Sequence, residues 1–193
     1  MNYFEVFSLP RKLGIDAAAL QARFYELSRQ WHPDFQQSAS PPEQAHALEQ
    51  SALVNAAYRT LRDPIARIEY LIRLEEGRDT KEGATVKPQA PPDLLAEMFE
   101  IQEMLQDAKA GGVDAEARQR LTEQRDALAA RRGDEEARLT GPLSSAWDAA
   151  TPETRAVALT EFKRALAARA YLRTVVDDLN AALDEEHVAH HRH

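Results

Sequence analysis

The stretch "RQWHPDFQQSAS", residues 29–40, sets a histidine, a proline and an aspartate in a row. Four kinds of chemistry could use them. His32 with a carboxylate two residues on could form a general base and its orienter. The intervening proline splays the two side chains, however, and neither a Ser nucleophile nor a Gly-rich phosphate loop accompanies them. A transition metal would need more ligands than this pair offers. A helix stop explains each residue separately: His near a helix C-terminus suits the dipole, Pro ends the helix, and Asp opens the loop. The fourth reading, a rigid loop presented to another protein, depends on what holds the tripeptide.

The preceding stretch, "GIDAAALQARFYELSRQW", reads as an amphipathic helix. Asp16 can cap its start, with Ile15 and Leu20 placed as a hydrophobic staple. Leu20, Phe24, Leu27 and Trp31 follow at spacings of 4, 3 and 4, which puts them on one face. Arg29 projects nearly opposite that stripe and Arg23 lies on its flank. After the loop, a second long helix is expected from about Glu43 to Arg62, with Val54, Tyr58 and Leu61 on one side. Asp63 and Pro64 then restart a third as N-cap and first helical residue. Two long helices joined by so short a loop should pack as an antiparallel hairpin, with the tripeptide at its tip. Before them, "NYFEVF" supplies Tyr3, Phe4 and Phe7, a compact aromatic opening.

The 193 residues are rich in Ala, Leu, Glu, Gln and Arg, and no stretch alternates apolar and polar residues as a strand would. An all-α protein is expected. The chain has no cysteine, so disulfides, thiolate metal sites and a Cys nucleophile are excluded. No apolar run approaches the roughly 20 residues of a membrane span. "MNYFEVFSLP" has neither the basic start nor the apolar core of a signal peptide. The formal net charge of −8 gives no help to nonspecific nucleic-acid binding. A cytoplasmic protein with protein partners is expected, with no nucleic acid, no membrane and no cofactor of its own.

Residues 77–92, "GRDTKEGATVKPQAPP", read as a linker between a domain at 1–76 and a second at 93–186. The second divides into helical stretches at about 93–109, 114–149 and 152–186, an up-down-up bundle. Gly133 and Gly141-Pro142 predict a kink or a break in the middle stretch. Trp147 is read as packing where that stretch turns into the last, which Thr151 and Pro152 can start. The terminal "HVAHHRH", 187–193, reads as a disordered tail rather than a metal site. In the first bundle helix Leu94, Met98, Ile101 and Leu105 form a core stripe, and Leu95 and Phe99 fall about 100° away from it. Phe162, Leu166, Leu172, Val176, Leu179 and Leu183 make the stripe of the last helix, with Tyr171 on its shoulder. Such shoulders can mean a wider core or an exposed docking patch; pattern alone favours the wider core.

An HPD tripeptide between two antiparallel helices, the first with exposed basic positions, resembles the J-domain of DnaJ-type co-chaperones. "MNYFEVFSLP", "RFYELSRQWHPDF", "QSALVNAAYRTLRDPIARIEYLI" and the C-terminal bundle together resemble the HscB family, the iron–sulfur J-domain co-chaperones, in its bacterial type. The resemblance implies that His32, Pro33 and Asp34 meet an HscA-type heat-shock ATPase and accelerate its ATP hydrolysis, with Arg23 and Arg29 facing an acidic surface of that partner. It further implies that Leu95, Ala96, Phe99, Glu100 and Glu103, with Tyr171, capture the IscU-type scaffold protein on which iron–sulfur clusters are assembled. On this reading the chain is an adaptor and not an enzyme, and ATP and any cluster are bound by its partners. The alternatives are a J-domain co-chaperone for a different chaperone and client, and a helical scaffold with no chaperone activity.

Overall fold

The computed structural model describes residues 1–36, 38–78, 92–111 and 114–190, and among them there is no strand. Helices α1 (Tyr3–Val6), α2 (Ala17–Gln30), α3 (Pro41–Arg62) and α4 (Pro64–Glu75) come first, with a 3-10 turn at Pro33–Gln36 between α2 and α3. Helices α5 (Pro92–Gly111), α6 (Ala115–Arg138), α7 (Ser144–Ala149) and α8 (Pro152–His190) follow. No helix among the described residues is long and apolar enough to cross a membrane. The chain forms two compact units, Met1–Ala84 with Ser144–Arg155, and Thr85–Leu143 with Ala156–His193.

In the first unit, local codes start and stop each helix. Asn2 accepts the Glu5 amide while the Glu5 carboxylate takes the Asn2 amide, closing a capping box around α1. Asp16 accepts the amides of Ala18 and Ala19 to open α2, and Asp63 accepts that of Ala66 to open α4. Helix α3 begins two residues before the expected Glu43, because Ser40 caps it and prolines 41 and 42 fill its first turn. Gly77, at φ 62°, closes α4: its amide reaches the Leu74 carbonyl and the Arg78 amide reaches that of Arg73. That pair of bonds requires the left-handed backbone that glycine adopts without penalty.

Phe24 of α2 stacks on Tyr58 of α3 at 4.0 Å, and Trp31 meets His46 edge-on at 5.6 Å. An early residue of one helix thus pairs with a late residue of the other, the register of an antiparallel hairpin. Leu20, Leu27, Val54 and Leu61 are buried along the seam. Helix α1 is fixed to α4 by Tyr3, whose ring stacks on Tyr70 at 4.4 Å and whose amide donates to the Tyr70 hydroxyl. Phe4, Phe7 and Leu13 are buried too.

The second unit is built on one aliphatic seam. Ile101 of α5, Leu121 and Leu128 of α6, and Leu172, Val175, Val176, Leu179 and Leu183 of α8 form its buried cluster. Ion pairs tie α6 to α5 (Arg131–Glu97, 2.7 Å) and to α8 (Arg138–Glu161, 2.6 Å; Arg169–Glu136, 2.9 Å). Gly133 does not interrupt α6, which runs through it. The break comes at Gly141-Pro142, where Leu139–Leu143 widen into a π-helical turn. Proline has no amide to donate and its ring crowds the carbonyl four residues back, so the turn opens there.

Of the linker expected at 77–92, Gly77 and Arg78 close α4 and Pro92 opens α5, and residues 79–91 lie outside the described residues. Helix α8 continues to His190, past the point where the tail was expected to begin, and residues 191–193 lie outside the described set.

Candidate functional site

Helix α2 ends at Gln30, where the Trp31 amide makes the last bond to the Leu27 carbonyl. Pro33 cannot extend it, and Pro33, Asp34, Phe35 and Gln36 turn as a 3-10 segment toward α3. The His32 and Asp34 side chains remain 51 % and 73 % exposed. The Asp34 amide donates to His32 Nδ1 at 3.2 Å, and the Phe35 amide donates to the His32 carbonyl. The Asp34 carboxylate stands 3.7 Å from the same Nδ1, too far for a hydrogen bond. The backbone bond is therefore what orients the ring. It places the proton of a neutral imidazole on Nε2, leaving Nε2–H as the donor for a partner. The exposed Asp34 carboxylate is thus not used to hold the ring.

The exposed side of α2 carries Arg23 and Arg29, as expected. Arg23 is held at 2.7 Å by Glu26 one turn on, a pair between exposed groups that is worth a few tenths of a kcal/mol and yields readily to a competing carboxylate. Arg29 has no such partner among the described residues. A groove of about 370 Å³ opens beside the tip, with Trp31, Ala39, Pro42 and His46 among its walls.

In the second unit, Phe99, Glu100 and Glu103 of α5 are exposed, Phe99 by 67 %. Leu94 and Ile101 are buried, so the stripe and its shoulder separate as the helical period requires. Leu95 and Ala96 belong to the same turn of α5, but their side chains lie outside the described residues, as does that of Met98. Tyr171 of α8 is half-buried against the aliphatic cluster. Its hydroxyl oxygen is enclosed without a hydrogen-bond partner. Burial, and then the Glu97 carboxylate, push the phenol pKa up, against Arg131, which lowers it. The exposed part of Tyr171 therefore does not include its hydroxyl oxygen.

The DnaJ domain family model matches residues 2–70. The chaperone HscB from Vibrio cholerae superposes on 93% of this chain and 99% of its own, with 27% identity and a TM-score of 0.56. The human co-chaperone HscB covers 94% of this chain and 81% of its own, at 27% identity and a TM-score of 0.62. The chain thus carries a DnaJ domain and is similar to HscB co-chaperones over nearly its whole length. Its J-domain is the first unit's hairpin with α1 and α4, and its HPD tripeptide is the exposed turn just described.

One part of the J-domain's support gives no sign of itself in the sequence. The Asp148 carboxylate of α7 accepts the amides of both Leu13 and Gly14, each at 2.7 Å. Arg67 of α4, almost fully buried, donates to the Leu13 carbonyl. Its guanidinium pKa is lowered by that burial, opposed by Asp63 and Asp148. A Cβ on Gly14 would stand 3.1 Å from the Asp148 oxygen, tighter than ordinary contact, so the carboxylate would have to give by a few tenths of an ångström. Together these groups hold the loop that leads from α1 into α2, and they account for the place of Ser144–Arg155 in the first unit. Trp147, buried as expected, packs in the same segment, under the guanidinium of Arg155 at 5.5 Å.

Proposed function

We propose that this co-chaperone serves iron–sulfur cluster biogenesis by stimulating ATP hydrolysis in an HscA-type chaperone of the Hsp70 class while delivering an IscU-type scaffold to it. The observation that carries the reading is the exposed HPD turn between antiparallel helices, with its ring pinned by the Asp34 amide and its carboxylate left free. Asp34 offers charge to a partner cation, His32 offers Nε2–H, and Pro33 keeps the turn from relaxing into helix. Arg23 and Arg29 add positive charge along α2 and steer encounter with an acidic face. Leu95, Ala96, Phe99, Glu100, Glu103 and Tyr171 form the scaffold-binding surface. Two partners on one chain raise the scaffold's local concentration at the ATPase, so weak contacts at each end suffice. The chain itself turns nothing over and works in the cytoplasm.

Steady-state ATP hydrolysis by the cognate ATPase, with and without this protein and the scaffold, tests the reading. Hydrolysis rises on addition of the wild type. His32→Gln abolishes the rise because a flexible amide cannot hold the Asp34 amide as a fixed ring does, and scaffold capture persists. Phe99→Ser weakens scaffold capture about tenfold, the loss of one exposed aromatic anchor, and leaves HPD-dependent stimulation intact. Unchanged capture by a Leu95→Ser, Phe99→Ser double variant would assign a different client.

A further inference from the structure

Phe35 is the most conspicuous side chain of the tip that the proposed function leaves unused. It directly follows Asp34 within the same 3-10 turn and is 68 % exposed. Its one ring contact among the described residues is the His32 imidazole, edge-on at 5.8 Å. A lone exposed apolar residue is ordinary on a protein surface. Phe35 differs in two respects. The turn's backbone bond, from the Phe35 amide to the His32 carbonyl, holds it in a fixed place beside the tripeptide. A second apolar feature, the groove walled by Trp31 and Pro42, opens at the same hairpin tip. A body that touches His32 and Asp34 must therefore come within reach of an aromatic ring that this chain does not bury.

We infer that Phe35 is a further recognition residue, and that the ATPase partner of the proposed function covers it with an apolar surface beside the site that receives Asp34. Docking then has two parts of different chemistry. The α2 face, with Arg29 and Arg23, acts through charge and weakens as salt screens it. The Phe35 ring acts through removal of apolar surface from water, which salt does not screen. The ring also shields the His32–Asp34 backbone bond from water once the complex forms, which strengthens it.

The inference rests on the proposed ATPase pairing, and one titration separates the two. ATP hydrolysis by the cognate HscA-type ATPase is followed against full-length wild type, Phe35→Ser, Phe35→Leu and Arg29→Ala, at low salt and at about 0.5 M salt. Phe35→Ser raises the half-maximal concentration by roughly tenfold at both salt levels, the effect of leaving one such ring unburied. Phe35→Leu keeps it within about threefold of wild type, since most of the apolar area remains. Arg29→Ala raises it at low salt only. All variants keep the wild-type melting temperature, because Phe35 contributes nothing to the core. A Phe35→Ser titration that superposes on wild type overturns the inference and leaves the HPD reading standing. An effect of Phe35→Ser that fades with salt overturns it as well, by removing its apolar character. Absence of stimulation by the wild type removes both.

Discussion

The two units hold themselves together by different means. The first relies on rings and on helix ends: Phe24 on Tyr58, Tyr3 on Tyr70, and side-chain caps at Asn2, Asp16, Ser40 and Asp63. The second relies on one continuous aliphatic seam with arginine–carboxylate pairs across it. Rings and caps fix orientation as well as proximity, which suits a unit that must present three residues of a turn in one geometry. An aliphatic seam tolerates changes of side-chain shape better than a set of stacked rings does.

The largest effect that can break this comparison is loss of a buried ring. Phe4→Ala removes a fully buried side chain packed against Tyr70 and should cost about 3–5 kcal/mol. Both tryptophans, Trp31 and Trp147, lie in the first unit, so denaturant unfolding followed by tryptophan fluorescence reads it directly. Leu179→Ala in the seam, where the side chain is equally buried, should cost about 2–5 kcal/mol and is read by far-ultraviolet circular dichroism. If the Phe4 variant retained wild-type fluorescence stability, the aromatic core would not be what holds the J-domain.

Next in size is the Asp148 clamp. Asp148→Ala strands the Leu13 and Gly14 amides and leaves Asp63 as the remaining carboxylate acting on Arg67. A loss of about 1–3 kcal/mol is expected for the first unit, with the Leu13 and Gly14 amides losing protection against hydrogen exchange. Asp148→Asn keeps one acceptor oxygen and should recover part of the loss. An Asp148→Ala variant as stable as wild type would make Ser144–Arg155 a neighbour of the J-domain and not a support for it.

That clamp also marks where the sequence stops being readable. Asp16 and Asp63 could be recognised as caps because the amides they bind lie two or three residues away, inside one turn. Asp148 binds amides 134 and 135 residues away, and nothing around it distinguishes it from any other aspartate near a helix end. Arg67 likewise reads as an ordinary helical charge, and only its almost complete burial shows that it serves the Leu13 carbonyl. The hairpin and the HPD turn were legible from spacing and prolines, because both are local. Exposure was not: pattern alone favours a wider core for the shoulder that holds Phe99, and only the fold shows that Phe99, like Phe35, faces outward. Gly133 was misread for the opposite reason, since a single glycine weakens a helix by about 1 kcal/mol without ending it, whereas Pro142 removes an amide outright.

The smallest expected effect concerns pH, and it sharpens the contrast at the level of single caps. Glu43 and Glu153 both belong to the first unit, and the pKa of each is lowered, chiefly by a hydrogen bond from a cap side chain: Ser40 for Glu43 and Thr151 for Glu153. A carboxyl whose folded pKa is depressed adds stability above its ordinary value, and that contribution is lost as pH falls through the lower, folded value. Below the ordinary glutamate range the first turn of α3 should therefore begin to fray, because a protonated Glu43 can no longer accept from both the Ser40 amide and hydroxyl. Both groups are fully exposed, so the change is confined to that turn and leaves the midpoint of global unfolding in place. A carboxyl NMR titration of Glu43 should show the depressed midpoint, and Ser40→Ala should move it back up toward the ordinary value. A Glu43 midpoint indifferent to Ser40 would mean that the turn is held by prolines 41 and 42 alone.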